Sequence, residues 1–312
     1  MSLPNTKDIR EIYAQCNLCP RNCNANRFEN KTNFCGIDEK FHIASIIVHT
    51  GEEPVLSGEK GVCNVFFTHC NLQCIYCQNY QISQNTKWNA PHILSLQEIT
   101  EKIISILDTG ITHLGFVSPS HQIVQMVKII ETLHRKNYFP VIIYNTNSYD
   151  KISTLKMIDP LIDIYLPDFK YANNDLAEKY SQAPHYKQIA INSIEEMVQQ
   201  KGKLLDLDEN GIATRGVIIR HLILPSHVKN SIAVLEQIKN HFGNKITLSV
   251  MSQYFPPEPV AKHPQLGRPL TENEYQQVLS KIDILGFENG FIQEPESAEN
   301  YQPDFKKKNP FG

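Results

Sequence analysis

The chain has 312 residues, 41% of them hydrophobic, with 30 Lys and Arg against 33 Asp and Glu, for a formal net charge of -3 at pH 7. That balance gives no overall basic surface to attract nucleic acid, and no run approaches the apolar length that a membrane span requires. The start, MSLPNTKDIR, lacks the charged flank and apolar core of a signal peptide, so the expectation is a cytoplasmic protein with neither nucleic acid nor membrane as partner.

Taken in chain order, the cysteines come first, and all eight lie between residues 16 and 77. Clustered thiols in a reduced compartment point to metal rather than to disulfides. Cys16-x2-Cys19-x3-Cys23 and then Cys35 give four thiols at ligand spacing, with Pro20 and Gly36 suited to tight turns. Four thiolates suffice for tetrahedral zinc or for a complete iron–sulfur cluster, and the spacing chooses neither. A cysteine-rich metal-binding segment is therefore expected over 1–61. His49, Glu52 and Glu53 form a polar cluster ahead of the first strand, lying either beneath the loop that follows it or in solvent. Cys63 opens that strand, and reads either as a buried small hydrophobe or as a further ligand to the upstream site.

From residue 62 onward, near-continuous apolar runs alternate with helical patterns. The predicted strands are 62–67, 112–117, 141–145, 162–166, 216–224 and 245–251, with the Val, Ile, Leu and Phe content of parallel strands buried on both faces. Ser95 with Glu98 and Thr271 with Glu274 are capping-box pairs that open two helices. Apolar stripes at 123–133 and 232–242 give two more, and all four read as core packing. Six such units predict an α/β fold, a partial (β/α)6 TIM-like barrel over 62–295. Asp208-Glu209-Asn210-Gly211 reads as the turn of a hairpin before the fifth strand. The tail, 296–312, carries Lys306, Lys307 and Lys308, and its last residues, 302–312, are expected to be a mobile terminus.

The densest chemistry directly follows the first strand. Cys70, Cys74 and Cys77 have the spacing C-x3-C-x2-C, and three thiolates on one loop can hold three irons of a four-iron cluster. One iron then stays open to a small molecule, as in catalytic metal sites. With Tyr76 just before the last cysteine, the motif resembles the radical S-adenosylmethionine (SAM) superfamily. Gly51-Glu-Glu-Pro54, the stretch Asn64 to Tyr80, Phe116-Val-Ser-Pro-Ser-His121, Tyr165-Leu-Pro-Asp-Phe-Lys170, Arg220-His-Leu-Ile-Leu-Pro225 and Met251-Ser-Gln-Tyr254 extend the likeness. They resemble an uncharacterised group related to the pyruvate formate-lyase activating enzyme, from about residue 16 to 294.

The resemblance implies reductive cleavage of SAM at a [4Fe-4S] cluster, giving a 5′-deoxyadenosyl radical for hydrogen abstraction. It implies an electron donor such as flavodoxin or ferredoxin, and a protein or peptide glycine as substrate. Two alternatives are a radical enzyme acting on a small molecule and a non-catalytic, zinc-binding scaffold. By the same resemblance, Tyr76, Ser118, Asn145, Thr146, Asp168, Lys170 and Arg220 are expected to bind the cofactor. Ser118 stands where the superfamily usually has a glutamate-bearing segment, and Thr146 and Asp168 supply oxygens suited to a monovalent cation. Lys170 and Arg220 are the alternative partners for the carboxylate of SAM, and Asp168 with Lys170 can also simply pair. His121, His221, Gln253 and Tyr254 are candidate substrate contacts.

Overall fold

The computed structural model of the protein describes residues 11–29, 34–85, 92–293, 303–307 and 309–311. The strands are β1 (His42–His49), β2 (Val62–Phe67), β3 (His92–Ile93), β4 (His113–Val117) and β5 (Val141–Thr146). They continue with β6 (Ile164–Pro167), β7 (Asp206–Leu207), β8 (Ala213–Leu222), β9 (Thr247–Met251) and β10 (Asn289–Ile292). The helices are α1 (Pro54–Ser57), α2 (Tyr80–Ser83), α3 (Leu96–Leu107), α4 (Ile123–Arg135), α5 (Ile152–Ile158), α6 (Asn174–Ser181), α7 (Tyr186–Lys201), α8 (Val228–Phe242) and α9 (Glu272–Leu285).

Within the sheet, β2, β4, β5, β6, β8, β9 and β10 are parallel and adjacent in chain order. This single winding is that of a partial barrel rather than of a doubly wound sheet. The two edges explain what the sequence left out. β1 pairs antiparallel with β2, and β10 adds a parallel strand beyond β9. β1 is covered on its outer side only at His42 and Ile43, by the two-residue β3, and β10 is the outermost strand at the other end, so neither is buried along its length like the central strands. The hairpin is present, with Asp206 opposite Arg215 and the Asp208 carboxylate accepting from the Asn210 and Ile212 amides.

Alternation along the strands divides the core in two. Val62, Ile143, Ile164, Leu166 and Ile218 pack inward with Leu56 and close the floor of the barrel. Val65, Phe67, Leu114, Phe116 and Ile219 belong with Ile99, Ile103, Ile130 and Ile238 of the covering helices. Tyr13, Cys16 and Leu18 join that second cluster, so the N-terminal segment shares the barrel's core. Both capping boxes form, Ser95 with Glu98 and Thr271 with Glu274. Among the described residues, no helix is long and apolar enough to cross a membrane.

The tail corrects an expectation. Part of 296–312 lies outside the described residues, but 303–307 and 309–311 pack against the barrel. The Phe305 and Phe311 rings lie 5.5 and 5.7 Å from Phe66, and Phe311 lies 4.5 Å from His49. The Phe305 amide donates to the Gln81 side chain at 2.7 Å. Aromatic burial holds a segment whose lysines read as a loose end.

Candidate metal and cofactor site

Beyond β2 the chain turns through His69 in the left-handed conformation (φ 64°), and the His69 amide bonds the Ile82 carbonyl at 2.7 Å. The loop bearing Cys70, Cys74 and Cys77 is thus closed on itself before α2 ends. Asn85 clamps it: its amide oxygen accepts from the Cys70 amide at 3.1 Å, and its nitrogen donates to the Cys70 and Phe34 carbonyls. On the other side, the Gln73 and Ile75 amides donate to the Ser181 and Tyr180 carbonyls at the end of α6. A loop tied at both flanks holds three thiols in fixed relation.

Those thiols meet donors. Asn147 Nδ2 and the Leu72 amide point at Cys70 Sγ, at 3.5 and 3.4 Å, and Ser181 Oγ lies 3.0 Å from Cys74 Sγ. Ser83 donates to Cys77. Burial pushes the Cys70 thiol up to about 12 and the Cys74 thiol up to about 11, whereas the Lys170 ammonium opposes both shifts. Thiolates here need cationic charge beside them, and N–H and O–H groups aimed at sulfur suit an electron-rich, metal-bound thiolate. The donor set therefore fits an iron–sulfur cluster. Asn147 and Ser181 were not singled out in the sequence, where nothing marks an asparagine after a strand or a serine at a helix end as facing sulfur.

The strand-end residues fall into two groups. Lys170 Nζ lies 2.5 Å from Asp168 Oδ2, and Tyr186 ties their loop down by donating to the Asp168 and Asn147 carbonyls. Asp168 thus already holds a cation supplied by the chain itself. Thr146 is fully buried, and its hydroxyl donates to Asp150, so it is committed to the fold. Tyr76 is also buried, its hydroxyl accepting from Tyr171 at 2.7 Å, and it props the loop from behind. Ser118 takes the left-handed conformation (φ 52°), its amide donating to the Asn145 carbonyl.

Arg220 departs from its expected role. It is buried, and its guanidinium bonds both Glu52 and Glu53, the contact to Glu53 being bidentate. Its charge is consumed inside the protein and is not free for a cofactor carboxylate. Glu52 also accepts from Asn64 at 2.7 Å and lies 3.2 Å from His49. The polar cluster ahead of the first strand is therefore internal. It lines a cavity of about 760 Å³ that also receives Asn145, Gln253, Gln78 next to Cys77, and Phe311 of the tail.

Three of the four candidate substrate contacts serve the fold instead. His121 meets the Thr68 carbonyl, His221 meets the Phe169 carbonyl and Ser231 Oγ, and the Tyr254 hydroxyl donates to the Leu266 carbonyl. All three are buried, and burial lowers His121 to about 3 and His221 to about 4, so both are neutral rings. Gln253 alone lines the cavity.

Upstream, Cys16, Cys19, Cys23 and Cys35 line one small cavity, with Arg27 donating to Cys35 Sγ at 3.5 Å. Cys63 is set apart from them. It is fully buried in β2 between Val48 and Leu114, and burial pushes its thiol up to about 12, with Lys102 its charged neighbour. That is the setting of a small hydrophobe, and Cys63 receives no ligand role.

Comparison with known proteins now bears on this arrangement. The Radical SAM superfamily profile matches residues 64–207, from β2 through the thiol loop to β7. An uncharacterised protein of Methanocaldococcus jannaschii is 29% identical over 287 residues, covering 88% of this chain and 78% of its own length. The [FeFe]-hydrogenase maturase HydG of Carboxydothermus hydrogenoformans superposes with a TM-score of 0.53 at 16% identity, over 79% of this chain and 57% of HydG. A domain of the pyruvate-formate lyase-activating enzyme of Bacteroides vulgatus gives a TM-score of 0.40 at 12% identity, over 55% of this chain and 93% of that one. The likeness to HydG is one of fold.

Proposed function

We propose that the chain is a member of the radical SAM superfamily, whose profile matches residues 64–207, and that Cys70, Cys74 and Cys77 hold a [4Fe-4S] cluster with one iron left for SAM. Membership implies an enzyme that carries such a cluster and binds SAM. When bound, the pair supplies one-electron, hydrogen-abstracting chemistry. The chain's own residues place and shelter it. Asn85 and α6 fix the loop, Asn147 and Ser181 donate to sulfur, and Lys170 offsets thiolate charge. The observation that carries this reading is the loop itself, with Cys70 buried, Cys74 and Cys77 half-buried, donors on their sulfurs, and a cavity opening at Gln78.

The cavity, about 760 Å³, falls within the range of roughly 300–1,000 Å³ of small-molecule sites, and so takes SAM with space beside it. We assign that space to a glycine-bearing segment of a protein or peptide, as in activating enzymes, with reduced flavodoxin or ferredoxin as electron donor. A small-molecule substrate is the second reading, favoured by the walls that β10 and the tail add to the cavity.

The test is anaerobic reconstitution with iron and sulfide, followed by reduction in the presence of SAM. The expected result is a brown protein that forms 5′-deoxyadenosine, and loss of that turnover in Cys74→Ala. A colourless protein carrying zinc alone would leave only the scaffold. Deuterium transferred into deoxyadenosine from a labelled peptide, but not from small metabolites, selects the first substrate class.

A further inference from the structure

We infer that the substrate carries a protonated amine, which the Glu52–Glu53 pair receives in the depth of the cavity. This names the substrate class of the site proposed above and rests on that reading for the chemistry at the thiol loop.

Charge in the cavity is out of balance. Among the described residues that line it, Glu52, Glu53 and Arg220 are charged, and Arg220 is the only Lys or Arg. Glu53 accepts from both Nε and Nη2 of Arg220, the pairing of a carboxylate with a guanidinium. Glu52 accepts from Arg220 Nη2 and, at 2.7 Å, from Asn64. Burial raises the Glu52 carboxyl, but Arg220 and His49 beside it outweigh burial and hold it below the usual carboxylate range. Two carboxylates against one guanidinium leave one negative charge in excess, on side chains only 9% and 6% exposed. Buried charge without a partner is costly, so an excess kept at the wall of a cavity points to a cation that arrives from outside. The one balancing charge the lining itself can supply is a proton on His49, whose Nδ1 lies 3.2 Å from Glu52. An entering ammonium takes its place.

Hydrogen bonding agrees. Glu53 uses one lone pair on each oxygen, and the buried Oε1 of Gln293, on the same cavity wall, has no hydrogen-bond partner among the described residues. Acceptors are therefore in surplus, and an ammonium offers three donors and no acceptor.

Shape supplies the stem. Along β2 the inward positions run from Val62 at the floor to Asn64, which fixes Glu52, and then to Phe66. Phe66, Phe291 and Phe311 line the cavity, with the Phe66 and Phe311 rings 5.7 Å apart. Aromatic faces attract cations and cover methylene groups. The opposite end of the cavity reaches Gln78, next to Cys77. Negative charge thus lies deep and the thiol loop lies at the mouth. An alkylammonium enters tip first, as a lysine-type side chain would, and leaves the carbon that follows its stem toward the loop. A carboxylate in its place would meet like charge.

The experiment uses the full chain, anaerobically reconstituted and saturated with SAM but not reduced, so that binding is read without turnover and with the sulfonium of SAM already in place. The probes are n-butylammonium and the tripeptides Gly-Lys-Gly, Gly-Gln-Gly and Gly-Glu-Gly, acetylated and amidated so that the central side chain holds the only charge, titrated by calorimetry. We expect Gly-Lys-Gly to bind about tenfold or more tighter than Gly-Glu-Gly, with Gly-Gln-Gly between them. In Glu52→Gln and in Glu53→Gln the preference should shrink to about threefold or less. Equal binding, a preference for Gly-Glu-Gly, or no saturable binding of either Gly-Lys-Gly or n-butylammonium overturns the inference, and so does a preference that both variants retain. The wild-type ranking decides on its own where neither variant folds. Butylammonium bound as tightly as Gly-Lys-Gly identifies a free amine as the substrate form, and a tighter peptide identifies a lysine-type side chain. Failure of the radical reading looks different: the ranking would hold in a protein that forms no 5′-deoxyadenosine on reduction, whereas turnover without any preference for the amine sinks this inference alone.

Discussion

Asn147 and Ser181 test whether the protein tunes its metal or merely holds it. Each places a donor on a thiol sulfur, at 3.5 Å on Cys70 and 3.0 Å on Cys74. Such bonds stabilise the reduced, more negative cluster and raise its potential. Asn147→Ala and Ser181→Ala should keep the iron content and lower the reduction potential, as read by potentiometric titration. An unchanged potential in both would mean that the donors do not tune the cluster. Arg220 differs in kind: Arg220→Met leaves the Glu52 and Glu53 carboxylates buried without their cation, a loss of about 3–5 kcal/mol in denaturant unfolding. At this scale the thiol loop was legible in the sequence, because the spacing of Cys70, Cys74 and Cys77 is a local signal. It hid Asn147, Ser181 and the Glu52–Glu53–Arg220 set, since those contacts join distant segments, and it assigned to Arg220 a ligand that its own carboxylates pre-empt.

Among the elements, the barrel's interior shows a strand position fixed by its neighbour. A Cβ on Gly115 of β4 would stand 2.0 Å from Asn64 Oδ1 of β2, so Asn64 fills the space that Gly115 leaves. Gly115→Ala should destabilise by about 1–3 kcal/mol through overpacking. The double change with Asn64→Ala should cost less than the sum of the singles, and simple additivity would refute the pairing. The entry to α9 was legible, because Thr271 and Glu274 are a local signal. The partners of Glu274 were not: Arg268, at 2.7 Å, lies just upstream of the helix, and the Ser226 amide, at 2.6 Å, comes from the distant loop after β8. The Arg268 hydrogen bond and the backbone bonds hold the Glu274 carboxyl down to about 2 against desolvation. Its contribution is therefore full above the ordinary carboxylate range and lost as pH falls toward 2. Glu274→Gln should flatten the acid dependence of unfolding over that window, while Thr271→Ala removes about 1 kcal/mol with the dependence retained. α7 escaped notice because it buries Ser193 and Glu196 beside Ile191, Ile194 and Met197, which blurs the apolar stripe.

At the scale of the molecule, the central strands were readable as buried parallel runs, whereas the closure of the cavity was not. Three pieces far apart in sequence make that closure: β1 with its following turn, β10, and the tail. Each is half-exposed or short, and none has a pattern of its own. The tail is the piece most open to test. Its hold rests on rings against Phe66 and His49 and on the Phe305 amide bonded to Gln81, with the Asp304 amide returning to the Pro310 carbonyl. Edge-to-face rings contribute about 0.5–1.5 kcal/mol each beyond the area they bury. Phe305→Ala with Phe311→Ala should therefore free the segment, speeding hydrogen exchange at the Asp304 and Phe305 amides while β4, β5 and β6 keep their protection. Because Gln81 sits in α2, a few residues after Cys77, exchange at the Ile82 and Ser83 amides reports whether release reaches the thiol loop. Slow exchange retained at Phe305 would show that the backbone bonds, rather than the rings, fasten the tail over the cavity.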